Sequence, residues 1–203
     1  MPRINLTTFL FNDSVDSVEK ARRLGKYAND PGGGDYYWGA KEAAKKLFGE
    51  DAPYDAAIAV MANISQPTRR TDNELALRNL YAWKLKHPGV AIPTPVGTAK
   101  GPQGELIVTL RPAYGWLSKA KHEAYVLWTY KDVRLSSRLA GMGVYLLELH
   151  LRHGPFANMD FYILDVETGR RFGRRAISKD TPIATVMALQ YQEELYLQAK
   201  KAA

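Results

Sequence analysis

Residues 143–175 read GVYLLELHLRHGPFANMDFYILDVETGRRFGRR. Tyr145, Leu147, Leu149 and Leu151 alternate with Leu146, Glu148, His150 and Arg152, which is the period of a strand with one buried face. A second apolar run, Phe161 to Val166, leads into Glu167-Thr168-Gly169, where glycine supplies the positive φ that a short hairpin loop with a bulge requires. The returning arm carries Arg170, Arg171, Arg174 and Arg175 around Phe172 and Gly173. The stretch therefore predicts an antiparallel meander that ends in a strongly basic hairpin.

On either side of it the chain changes character. Ile4 to Phe11 reads as a leading strand, and Asp13 or Ser14 as the cap of a helix reaching about Ala28. Ala40 to Phe48 and Tyr54 to Ile64 read as further helices. Thr71-Asp72-Asn73-Glu74 has the form of a capping box that opens a helix running to about Lys86. From His87 to Gly104 prolines and glycines alternate, which predicts a connector without regular structure. Beyond it, Glu105 to Arg111 reads as a strand, Ser118 to Glu123 as helical and Tyr125 to Leu135 as a strand. Thr181-Pro182 opens a last helix, expected to offer Ile183, Val186, Met187 and Leu195 to the sheet.

The fold class expected is α+β. A mainly helical region with one leading strand covers 1–87, a Pro/Gly-rich connector 88–104, and an antiparallel sheet packed by a C-terminal helix 105–203, with one continuous core left open as an alternative. A chain of 203 residues is long enough to bury such a core. It contains no cysteine, which excludes disulfides, thiolate catalysis and cysteine-ligated metals. No apolar run reaches the length a bilayer needs, and the N-terminus lacks the long apolar segment of a secretory signal, so a soluble cytoplasmic protein is expected.

A formal charge of +7 favours polyanionic partners, DNA or RNA among them. Arg170, Arg171, Arg174 and Arg175 are the candidate phosphate-binding residues, with Phe172 to stack on a base. Tyr114, Trp116, Tyr125, Trp128 and Tyr130 could extend a stacking platform, or form core. Arg69 and Arg70 place further positive charge at a helix start, where acids are the usual choice, and join the candidates.

A competing chemistry rests on Glu148 and His150, which share a face in a strand, and on Asp165 and Glu167 in the next. Were those strands adjacent, four hard ligands would converge on a divalent cation able to activate water, as a metal-dependent nuclease requires. The glycine-rich loop Asp30 to Asp35 fails the pattern of a phosphate cradle, because Lys41 falls one residue late and Glu42 stands where a hydroxyl is needed, and it reads rather as a connector beside the aromatic run Tyr36 to Trp38. No cofactor motif is expected. The function expected is non-catalytic nucleic-acid binding through the basic hairpin, within a nucleoprotein assembly or alone, with the nuclease and a protein-interaction subunit as the alternatives.

Overall fold

The computed structural model describes residues 3–29 and 35–202. In chain order its elements are β1 (Arg3–Asn5), α1 (Leu6–Ser14), α2 (Ser17–Asn29), α3 (Trp38–Ala44) with a π-helical turn Lys45–Gly49, α4 (Tyr54–Ile58), and α5 (Pro67–Lys86). They continue with β2 (Val90–Ile92), β3 (Gly97–Lys100), β4 (Ile107–Leu110), β5 (Tyr114–Ser118), β6 (Lys121–Trp128), α6 (Ser137–Leu151), β7 (Asp160–Asp165), β8 (Arg171–Phe172), and α7 (Thr181–Ala202). This is the α+β class: a helical N-terminal half led by a strand, a strand-rich middle, and a C-terminal helix packed on the body. The loop 30–34, a connector by its sequence, lies outside the described residues.

The chain departs from its local patterns in several places. The stretch 143–151 is helical, not extended, and belongs to α6. Ser136 caps that helix by accepting from the Leu139 N–H at 3.2 Å. Nearly every side chain from Leu139 to Leu147 is buried, so the apolar run has no polar face to declare its period. With α6 as the crossover, β6 and β7 run parallel instead of forming a meander. Three further corrections are local. The leading strand stops at Asn5, whose side chain accepts from the Thr8 N–H at 2.7 Å and starts α1. The helix α5 begins not at Thr71 but at Pro67, the first-turn position where a missing N–H costs nothing. Residues 118–123 hold no helix: Lys119 and Ala120 both take positive φ and make the tight turn between β5 and β6.

The connector 88–104 also carries structure, because β2 and β3 fall inside it. Both are edge strands, β2 on β5 and β3 on β4, and an edge tolerates the neighbouring prolines. One sheet has the order β1-β4-β3, with β1 parallel to β4; the other has the order β2-β5-β6-β7-β8. The two faces of the second sheet go to different cores. Tyr114, Trp116, Tyr125, Leu127 and Leu164 pack with Phe48, Leu77, Leu80 and Trp83 of the N-terminal helices. Val126, Trp128, Phe161, Ile163 and Phe172 pack with Phe9, Leu139 and Leu147 of α1 and α6. Removing such side chains from water contributes about 1.5–3 kcal/mol each, which is what holds the helical layers to the sheet.

The face of α7 differs from expectation. Ile183, Val186 and Met187 are exposed, at 66%, 54% and 65%. The helix instead buries Thr185, Ala188, Leu189, Gln192, Glu193 and Tyr196. Its polar members are satisfied: the Gln192 amide donates to the Phe9 carbonyl at 3.1 Å, and Glu193 accepts three backbone N–H groups. Partnered polar groups can be buried at little cost, so no apolar stripe marks the inner face.

Candidate nucleic-acid interface

The short strand β8 defines the site. It covers only Ile163 and Leu164 of β7, so Asp160–Tyr162 have no strand beside them on that side. The hairpin loop closes as its sequence suggests. Asp165 accepts from the N–H groups of Glu167 (3.1 Å) and Thr168 (3.4 Å) and from the Thr168 hydroxyl (2.8 Å), and Gly169 has φ 68°. After Phe172 the chain leaves the sheet through a single 3-10 turn, Arg174–Ala176. The departure opens a cavity of about 860 Å³. Lys121, Arg170, Arg171, Arg174 and Arg175 line it together, against only two acids, Glu148 and Asp160.

The four hairpin arginines are not equivalent. Arg170 and Arg175 are exposed and, among the described residues, form no ion pair. The Arg174 side chain is 73% exposed and approaches Glu148 only to 3.7 Å. Glu148 and Asp160 are themselves engaged by Arg152, at 3.4 and 3.9 Å. Arg171 is built in. Its Nη1 donates to Glu123 at 3.1 Å and to the Tyr125 hydroxyl at 2.8 Å, and Tyr125 in turn donates to Glu123 at 2.7 Å. Burial, and then the bond to Glu123, push the Tyr125 phenol far above its ordinary range, which keeps it a donor.

Arg171 also ends a row of rings. Tyr114, Tyr125 and Tyr162 stand opposite one another on β5, β6 and β7, stacked at 5.0 and 5.3 Å, with Phe48 against Tyr114 at 3.9 Å. The Arg171 guanidinium lies 4.8 Å from the Tyr162 ring centre. Gly173 makes room for this end of the row, since a Cβ there would fall 2.5 Å from Cε1 of Tyr162. Gly173→Ala should therefore displace the ring and destabilise the protein by about 1–3 kcal/mol, read as a lower urea midpoint. An unchanged midpoint would mean the ring moves freely.

The other candidates fall elsewhere. Phe172 is 6% exposed, a core residue whose ring lies under the Arg170 guanidinium at 4.5 Å, so it offers no face to a base. Tyr114, Trp116, Tyr125 and Trp128 are likewise core, and Tyr130 is half buried against Phe11. Arg69 donates to the carbonyls of Tyr36 and Asp35, and Arg70 to those of Ile64 and Ala62; both tie down the helical layer away from the cavity. The metal set does not assemble. Glu148 and His150 ride on α6, Asp165 shapes the hairpin loop, and no group of three or more His, Asp or Glu residues suited to a metal occurs among the described residues. Two residues that sequence reasoning does not single out matter here. Glu123 ends a stretch that reads as helical and Tyr162 looks like an ordinary strand position, and only the pairing of β6 with β7, and of β7 with β8, brings them to Arg171. No family model matches the chain, and no curated protein proved similar to it.

Proposed function

We propose that this protein binds nucleic acid without transforming it, through the basic cavity beside β8. The observation that carries this reading is the convergence of Arg170, Arg174 and Arg175, all exposed and at most loosely paired, with Lys121 on one concavity. Guanidinium forks match phosphate oxygens, and an unneutralised cluster of them attracts a polyanion by releasing its counterions. Fluorescence anisotropy with a labelled oligonucleotide across a salt series tests it. Saturable binding that weakens with salt is expected, and no binding at low ionic strength overturns it. Since Glu148 and His150 lie on α6 while Asp165 and Glu167 belong to the β7 hairpin, the four do not form one site that would support cleavage.

A second reading, membership of a larger nucleoprotein assembly, has its own observation. The exposed stripe of Ile183, Val186 and Met187 on α7 is the kind of surface that protein contacts cover. Light scattering and recovery of the protein from its host would show whether it travels with other subunits, with nucleic acid, or with both.

A further inference from the structure

Given that the cavity holds nucleic acid, the position of Arg171 bears on which form of it. We propose that the strand is single, its phosphates on Arg170, Arg174 and Arg175 and one unpaired base stacked on the outward face of the Arg171 guanidinium.

The arginine is partly committed within the protein. Its charge is met by Glu123, and Nη1 is committed to Glu123 and Tyr125. The side chain is nonetheless 41% exposed and lines the cavity, with the centre of its guanidinium 4.8 Å from the Tyr162 ring centre. Guanidinium planes stack well on bases, and one already locked in place loses little freedom when the base arrives. Arg170, Arg174 and Arg175, exposed and at most loosely paired, line the same cavity and are available to the phosphates on either side of such a base. A duplex fits poorly, because its base faces are covered by their neighbours. Nor is the hairpin a ribbon that could enter a major groove. Its strand β8 has two residues, and its loop lies on the body, with Gly169 placing a Cβ position 3.9 Å from the Trp83 ring.

Three ligands of equal length decide the matter by anisotropy: a single-stranded oligonucleotide, the same strand made abasic, and the duplex. The intact single strand should bind most tightly, and the abasic strand roughly five- to hundredfold more weakly, the range for removal of one base stack. Arg171→Lys keeps the charge and loses the plane. It should bring the intact strand down to the abasic level and leave the abasic strand unchanged, with a melting measurement confirming that the variant is folded. If the duplex binds as tightly as the single strand, or the abasic strand as tightly as the intact one, the proposal falls while phosphate binding stands. If none of the three binds, the underlying nucleic-acid reading falls with it.

Discussion

Changing Arg170, Arg174 and Arg175 together to alanine should weaken nucleic-acid binding on the order of a hundredfold at low salt, at about 1 kcal/mol for each charge-assisted phosphate bond removed. The salt dependence should change with it. Each single-strand phosphate neutralised adds about 0.7 to the slope of log affinity against log salt, so removing three arginines flattens the slope by about two. The control that gives this result meaning is a variant with the same charge removed elsewhere. Arg78, Lys86 and Lys201 are exposed and lie outside the cavity. Their triple alanine variant lowers the net charge equally, yet should lose only the weak long-range attraction that net charge provides. Equal losses in the two variants would mean that the protein is held by overall charge and that the cavity has no special role. Arg171 is left out of the first set on structural grounds, since removing it would strand the buried Glu123 carboxylate and mix instability into the binding measurement.

The arginine cluster, the Gly169 hairpin and the α7 start at Thr181-Pro182 are legible in the sequence because each rests on a short run of neighbouring residues. The turn needs a positive φ at one position, and glycine announces it. What misleads is a run whose neighbours say little. Val144 to Leu151 satisfies a period of two as readily as it fills a helix buried on most sides, and the deciding residue, Ser136, lies seven positions upstream of the quoted stretch. That one ambiguity propagates. Read as a strand, the run places Glu148 and His150 beside Asp165, whereas the helix carries them to another layer. The pairing of Arg171 with Glu123 is not legible at all, because it spans 48 positions and depends on a parallel crossover. Phe172 deceives for the related reason that a two-residue strand still turns one side chain inward to the core. Charge, then, is readable as a local sum, but the division of labour among four adjacent arginines belongs to the tertiary structure.

The same distinction governs the largest expected loss of stability, which involves none of the basic residues. Glu193 of α7 is 1% exposed, and its carboxylate accepts from the N–H groups of Gln103 (2.7 Å), Glu105 (2.6 Å) and Leu106 (3.0 Å). These donors belong to the loop that joins β3 to β4, so a single side chain fastens the C-terminal helix to the smaller sheet. Among the described residues no cation pairs with it; the backbone alone compensates the buried charge, as converging N–H dipoles can. Glu193→Ala would leave three donors without their acceptor and open a void, a combination expected to cost about 3–5 kcal/mol. Against a total stability of about 5–15 kcal/mol, and at roughly 2–4 °C per kcal/mol for a chain of this size, the melting temperature should fall by about 6–20 °C. Glu193→Gln keeps the shape but turns an amide donor toward backbone donors, so it should lie between the two. Thermal unfolding of the three proteins checks the order. A Glu193→Ala protein within about 1 kcal/mol of the parent would mean that water replaces the carboxylate and that the loop does not depend on α7.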